Sequence, residues 1–227
     1  MHNSFPFLSI FQQVVSAYSR FIESLVKKDV ERYAVVMNRM NNGNTMVKNS
    51  KTGYGWVAIA LHWLMALGIF GMFGLGLYMV ELTYYDTWYR GSLELHKNIG
   101  FLLLLIWMIR ITWRWFNTLP DISGTAFEKK AAHYVHLLLY CLMIALMTTG
   151  YLISTADGRG IDVFGLIEIP AMSISIENQE DIAGDIHWGL AWSLILMVTL
   201  HALAAIKHHF INKDGTLLKM IRPKADS

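Results

Sequence analysis

The sequence has little cysteine and little charge, and each shortage excludes a class of protein. Cys141 is the only cysteine in 227 residues, which excludes an internal disulfide, a thiolate metal cluster and covalent haem attachment through a CxxCH motif. Charged residues make up 16% of the chain, against about 25% in soluble domains, while 54% of residues are hydrophobic. This composition indicates a membrane protein, and a net charge of +2 gives no reason to expect a nucleic-acid partner.

Long uncharged runs are what the sequence does contain, and they predict helices that cross a lipid bilayer. The predicted spans are Trp56–Val80, about His96–Phe116, about His133–Thr155 and Ile186–His209. The uncharged centre of the second span, Asn98–Ile109, is short, so its flanking residues Lys97 and Arg110 must snorkel or pair with another group. We therefore expect an all-α integral membrane protein whose residues 51–223 form a bundle of four transmembrane helices.

Residues 1–50 differ from the rest of the chain. Apolar residues recur there at three- and four-residue steps and are followed by a polar run. A signal peptide is not expected, because a basic n-region and a small-residue cleavage site are both missing. The segment is either an amphipathic helix lying on the membrane or an extension from a misassigned start, with Met37, Met40 or Met46 as the true first residue.

The distribution of charge predicts the orientation of the bundle. Lysine and arginine precede the first span, separate the second from the third and follow the fourth, whereas the loop 157–185 carries seven carboxylates. Basic segments stay on the cytoplasmic side. Both termini are therefore expected in the cytoplasm, and the acidic loop is expected outside.

Four intramembrane histidines fall into two depth levels. His187 and His201 are fourteen residues apart on the last span, which places them within ~40° of one face and roughly 21 Å apart along the axis. His62 lies near the inner end of the first span and His96 at the outer start of the second, so the pairs are His62 with His201 and His96 with His187. Two neutral imidazoles facing each other across a bundle are the axial ligands of a six-coordinate b-type haem iron. Two non-covalent haems b are predicted.

Other interpretations of the histidines remain open. A lone intramembrane histidine can simply bond a carbonyl of a neighbouring helix, and a small transporter could use such residues to carry protons. Zinc or copper is disfavoured because each level lacks a third ligand. His133 and His136 are interpreted as interfacial, with a quinone-facing pair or substitute ligands as alternatives, and His208 and His209 as solvated.

Several short motifs in this chain occur together in one known family. They are Ala60-Leu61-His62-Trp63, His96 with Gly100, Ala132-His133 with His136, Ile186-His187-Trp188, Leu200–Ala205, Lys207–Phe210 and Lys213–Leu218. With these residues the chain from Tyr54 to Pro223 resembles the prokaryotic cytochrome b561 family of di-haem, quinone-linked membrane proteins. The resemblance implies that His62, His96, His187 and His201 bind two haems b in a bacterial inner membrane.

The function implied by this resemblance is electron transfer across the membrane to or from the quinone pool, with ubiquinone as the substrate. Some members oxidise superoxide outside, but the acidic outer loop opposes the concentration of a small anion. Arg90, Lys97 and Arg159 could supply a local positive path, so the outer donor is either such an anion or a basic or neutral partner. The alternative is a haem-b anchor subunit that links quinone to a separate hydrogenase or dehydrogenase. A homodimer is left open.

Two cations are candidates for binding the haem propionates. Arg110 lies fourteen residues beyond His96 on the same face of the second span, one level further in, and suits the inner haem. Lys97 suits the outer haem. Ordinary snorkelling at the interface is the alternative for both.

Overall fold

The computed structural model describes residues 47–172 and 177–223. The elements in this part of the chain are α1 (Trp56–Val80), α2 (Tyr89–Phe116), α3 (Ala126–Ser154), β1 (Ile161–Val163), β2 (Ile167–Ile169) and α4 (Gln179–Lys207). A π-helical turn, His208–Asn212, extends α4, and a short 3₁₀ helix, Leu218–Met220, follows. Two interpretations of the N-terminal extension, an amphipathic helix and a misassigned start, concern residues 1–50. Of these, residues 1–46 lie outside the described ranges.

The four helices have the length and composition of membrane spans. Each contains an 18-residue window of mean hydropathy between 1.5 and 2.0. Many large apolar side chains along them are exposed and few are fully buried, as expected where helices face lipid rather than water. The predicted bundle of four transmembrane helices is confirmed for the described part of the chain.

Hydropathy predicts the bounds of the first helix correctly, but it predicts the first residues of the other three helices too far along the chain. The helices α2, α3 and α4 begin at Tyr89 rather than His96, at Ala126 rather than His133 and at Gln179 rather than Ile186. Polar first turns explain the difference, since a helix continues beyond the bilayer wherever its backbone is satisfied. Thr125 and Glu128 form a capping box at the start of α3, and Glu180 and Asp181 suit the positive end of α4.

The bundle core separates the two histidine levels. Met65, Met143 and Leu194 are its most buried residues, and partly buried apolar side chains from all four helices pack around them. Leu194 lies seven residues from both His187 and His201 on α4, which is two helical turns in each direction. An apolar layer therefore lies between the outer and inner histidines.

A small antiparallel hairpin between α3 and α4 is the only sheet in the described ranges. Ile161 pairs with Ile169 and Val163 with Ile167. No strand is predicted from the sequence here, because three residues are too few for an alternating pattern to stand out. The tip of the hairpin contacts α2, where the side-chain oxygen of Asn98 accepts a hydrogen bond from the backbone N–H of Phe164 at 2.9 Å.

Candidate haem-binding sites

The outer histidines face each other from α2 and α4. The ring centroids of His96 and His187 are 6.3 Å apart, and the rings are inclined by 67°. Nδ1 of His187 lies 3.1 Å from the carbonyl oxygen of Leu146 and 3.1 Å from Oγ1 of Thr149. A ring nitrogen facing a carbonyl must carry the proton, so Nδ1 donates and Nε2 is left with its lone pair free to bind a metal.

The inner histidines have the same spacing on α1 and α4. The ring centroids of His62 and His201 are 6.3 Å apart and the rings are inclined by 66°. Arg110 of α2 reaches this pair: its Nη2 lies 3.2 Å from Nδ1 of His62, and its Nη1 donates to the carbonyl of Ala58 at 3.4 Å. The inner level therefore combines two imidazoles with one cation.

The centroid spacing fits a single metal ion between the two rings of each pair. A metal–imidazole bond of about 2.0 Å, plus about 1.15 Å from the nitrogen to the ring centre on either side, places two trans ligands roughly 6.3 Å apart. Both pairs have this separation. The histidine spacing is therefore compatible with bis-imidazole ligation at both levels.

The surroundings of the outer pair also leave room for a large planar group. A cavity of about 420 Å³ is lined by His96, His187 and mainly apolar side chains, within the ~300–1,000 Å³ typical of cofactor sites. Gly76 and Gly150 border it, and a Cβ atom at these positions would lie 3.6 Å from His96 Cε1 and 3.2 Å from His187 Cε1. Within the described ranges, the buried Nδ1 of His96 has no hydrogen-bond partner, so this ring has unused bonding capacity beside the cavity.

A third imidazole joins the inner level. The ring centroid of His136, on α3, is 5.2 Å from that of His201, and the residue is half-buried. This contact favours the alternative interpretations of His136, a quinone-facing residue or a substitute ligand, whereas His133 is exposed and contacts Tyr134 edge-on. Among the described residues, no three His, Cys, Asp or Glu side chains converge well enough to hold a metal ion.

The candidate propionate cations lie at the two expected levels. Lys97 borders the outer cavity, where its Nζ forms an ion pair of 2.6 Å with Glu94. Arg110 directly contacts His62, one of the two inner histidines. Binding of propionates by these residues stays a prediction.

The positive path expected on the outer side is largely neutralised. Arg159 forms an ion pair of 2.5 Å with Asp157, and this hydrogen-bonded guanidinium lowers the pKa of the Asp157 carboxyl. Lys97 is paired with Glu94. Two of the three outer cations therefore face carboxylates rather than an incoming anion.

The inner end of α4 contains a histidine, His208, that is hydrogen-bonded to a carboxylate rather than solvated as predicted. The side chain of His208 is only 14% exposed; its Nδ1 lies 2.5 Å from Asp214 and its Nε2 3.9 Å from Glu128. Desolvation acts to raise the pKa of Asp214, but hydrogen bonds from Thr216 and His208 outweigh it and lower that pKa to about 2. The prediction was wrong because the chain turns back at Lys213, which has φ of 53°, and brings the side chain of Asp214 against the ring of His208.

Comparison with known proteins identifies the family. The prokaryotic cytochrome b561 model matches residues 53–223. Cytochrome b561 homolog 2 of Escherichia coli K12 is 46% identical over 175 residues, which is 76% of this chain and 93% of that protein. The probable superoxide oxidase CybB of Yersinia pestis is 30% identical over 75% of this chain and 97% of its own length, and cytochrome b562 of Cereibacter sphaeroides is 28% identical over 76% and 97%. With these matches along the whole four-helix region, the chain belongs to the prokaryotic cytochrome b561 family of membrane cytochromes, which implies b-type haem.

Proposed function

We propose that this protein binds two non-covalent haems b and transfers electrons across a bacterial inner membrane between an outer donor and the quinone pool. The observation that carries the proposal is the repeated spacing of 6.3 Å in two histidine pairs on opposite sides of the core. A single pair could be a structural contact, but two pairs with the spacing of trans imidazole ligands are hard to explain otherwise.

We assign three roles to residues of the chain: they bind the haem iron, orient a ligand histidine, and exclude water between the two levels. His96 and His187 would be the axial ligands of the outer haem iron, and His62 and His201 those of the inner one. When bound, haem b supplies a one-electron carrier at each depth. The carbonyl of Leu146 fixes the tautomer of His187. The apolar core around Leu194 keeps water away from the space between the two levels.

The basic inner surface supports an orientation with both termini in the cytoplasm. We propose that quinone binds beside the inner level, close to His136, which contacts His201 and has no ligand role in the proposed pairing. A half-buried imidazole there can donate a hydrogen bond to a quinone carbonyl. A role of His136 as a substitute axial ligand is the competing assignment at this position.

A narrower proposal is that the activity is superoxide:ubiquinone oxidoreduction. The name of the Yersinia pestis relative describes that protein as a probable superoxide oxidase. Two superoxide anions would each lose one electron and leave as O₂, while one ubiquinone takes both electrons and two protons to become ubiquinol. The position of Lys97 beside the outer cavity supports this activity, but its ion pair with Glu94 opposes it. Superoxide-dependent ubiquinol formation by the purified protein tests this activity. If no ubiquinol forms, the outer electron donor is instead a basic or neutral partner.

A second candidate function is an anchor subunit that links quinone to a separate hydrogenase or dehydrogenase. The observation in its favour is a group of exposed aromatic residues, Tyr84, Tyr85 and Trp88, in the outer loop between α1 and α2, since such residues are enriched at protein interfaces. An interfacial aromatic belt explains the same residues. Isolation from native membranes with a stoichiometric redox partner would favour the anchor function.

The decisive experiment for the main proposal is a haem count with a redox titration. The purified protein should contain two haems per chain, extractable with acid acetone, with low-spin absorption and two reduction steps. One haem per chain, or none, in a pyridine-haemochrome assay would refute the proposal. Reduction by added quinol in vesicles then tests the quinone link separately.

A further inference from the structure

The hairpin between α3 and α4 ends in exposed apolar side chains. Phe164, Leu166 and Ile167 are 48%, 83% and 61% exposed. Turns on a water-exposed surface usually take Gly, Asn, Asp or Ser at such positions. Three apolar residues at one tip are therefore unexpected if the tip lies in water.

The backbone of the tip makes the choice of phenylalanine more unusual. Phe164 has φ of 54°, in the left-handed region that glycine and asparagine adopt readily and bulky residues rarely do. The turn is closed by a hydrogen bond from Leu166 N–H to the Val163 carbonyl at 3.0 Å, and Asp162 accepts from Gly165 N–H at 2.9 Å. The geometry thus favours a small or polar residue at position 164. The aromatic side chain of Phe164 is therefore expected to make a favourable contact outside the turn itself.

The depth of the tip along the helices indicates which surroundings the Phe164 side chain contacts. The N–H of Phe164 donates to Asn98 at 2.9 Å, and Asn98 is the first residue of the uncharged segment of α2. On α1, Gly76 faces His96. The first charged residue beyond Gly76 on the outer side is Glu81, which lies about 7.5 Å from Gly76 along the helix axis. The hairpin therefore folds back to the depth where the charged ends of the helices give way to apolar spans.

The two faces of the hairpin agree with this position. Asp162 and Glu168 form an exposed cross-strand pair on one face, which suits water. On the other face Ile161 and Ile169 border the outer cavity, and Val163 is buried. The tip therefore adds exposed apolar side chains beside α2 at the depth of Asn98.

We propose that the tip, formed by Phe164, Leu166 and Ile167, inserts into the interfacial region of the outer lipid leaflet and anchors the hairpin beside the His96–His187 cavity. Apolar side chains at this depth lose water contact on entering the headgroup–acyl boundary, and an aromatic ring is favoured there. The occupant is the phospholipid surface itself. The inference does not depend on haem binding or electron transfer.

Site-directed spin labelling of the full chain in phospholipid vesicles tests the depth directly. In a Cys141→Ser background, a nitroxide is attached at Leu166→Cys or, as the matched control in the same loop, at Arg159→Cys, whose side chain is 86% exposed. Vesicles of phosphatidylcholine and phosphatidylglycerol are used, with oxygen as the apolar and a nickel chelate as the polar relaxing agent. The oxygen-to-nickel accessibility ratio should be several-fold higher at position 166 than at position 159.

Two results would overturn the proposal. Equal ratios at both positions would mean that the tip lies in water. Exclusion of both agents at position 166 would mean that protein, such as a second copy or a soluble partner, covers it. Ile167→Cys provides a second label site at the tip if the first variant does not insert. Replacement of Phe164 by Asn, which suits the turn, should lower the ratio at position 166.

Discussion

Arg110 on α2 donates a hydrogen bond to Nδ1 of His62 on α1, with 3.2 Å between the nitrogen atoms. A guanidinium has only donors, so Nδ1 must accept and the proton of the neutral ring lies on Nε2. If His62 held a haem through Nε2, its proton would have to lie on Nδ1, and Arg110 would need another acceptor. A haem propionate is an acceptor of the right charge. The contact therefore links cofactor binding at the inner level to a rearrangement of Arg110.

Replacement of Arg110 by Leu tests this link. Loss of a cation near the inner haem should lower its reduction potential by about 40–90 mV, equivalent to roughly 1–2 kcal/mol for charges about 10 Å apart at an effective dielectric constant of 20. A redox titration followed by absorption measures the change. Arg90→Leu, at the outer end of the same helix, is the control and should leave the inner potential unchanged. An unchanged potential in Arg110→Leu would show that Arg110 only snorkels.

Single histidine variants should separate the two haems. His187→Ala should remove the outer haem and His201→Ala the inner one, and each should leave the other six-coordinate, because the two levels share no ligand and lie roughly 21 Å apart along α4. His209→Ala, which changes a histidine that contacts Phe210 outside the two pairs, should keep both haems. Loss of both haems in either ligand variant, with the control intact, would contradict independent sites.

The same series decides which imidazole faces His201. The proposed pairing expects His62→Ala to lose the inner haem and His136→Ala to retain it, while quinol reduction is weakened in the second variant. The reverse result would make His136 the axial ligand. Either outcome is visible in the haem count of the purified protein, without an assay of activity.

The sequence was sufficient for the spans and the histidine levels because both are local patterns. The bounds of α1 follow from hydropathy alone, and the separation of His187 and His201 follows from helical geometry. The approach of His136 to His201 depends instead on how α3 is rotated about its own axis, which packing against α4 decides. The hairpin was missed because its strands of three residues are too short for an alternating pattern, and because Phe164 stands where a turn usually has a small or polar residue. The low exposure of the His208 side chain follows from its contacts with Asp214 and Glu128, which depend on how the chain turns back after α4 and have no distinct sequence pattern.

Thr149→Val should weaken the outer site by removing one of the groups that orient His187. The hydroxyl oxygen of Thr149 lies 3.1 Å from His187 Nδ1, and loss of an outer-shell partner typically costs 10–100-fold in metal affinity. We expect the low end, about 10-fold weaker outer haem binding, because the carbonyl of Leu146 still accepts from the ring. Haem titration of the apoprotein measures the affinity, and the low-spin electron paramagnetic resonance signal reports the ring orientation.

Thr199→Val is the matched control for this change. Its hydroxyl donates to the carbonyl of Ile195 on the exposed side of α4, away from the residues that line the outer cavity, so the substitution removes the same atoms without touching His187. Equal effects of the two variants would mean that the loss arises from the helix and not from the ligand.

Gly150→Ala should displace the ring of His187 and so weaken the outer haem site. A Cβ atom at this position would lie 3.2 Å from Cε1 of His187, closer than ordinary van der Waals contact, so the imidazole must shift by a few tenths of an ångström. Such overpacking typically costs about 1–3 kcal/mol, which corresponds to roughly 5–150-fold weaker haem binding. Gly189→Ala is the control, because an added Cβ there meets no atom within 4 Å and alanine favours a helix. Spectra and haem affinity should change in the first variant only, and normal binding in Gly150→Ala would show that His187 can move freely and is not held for ligation.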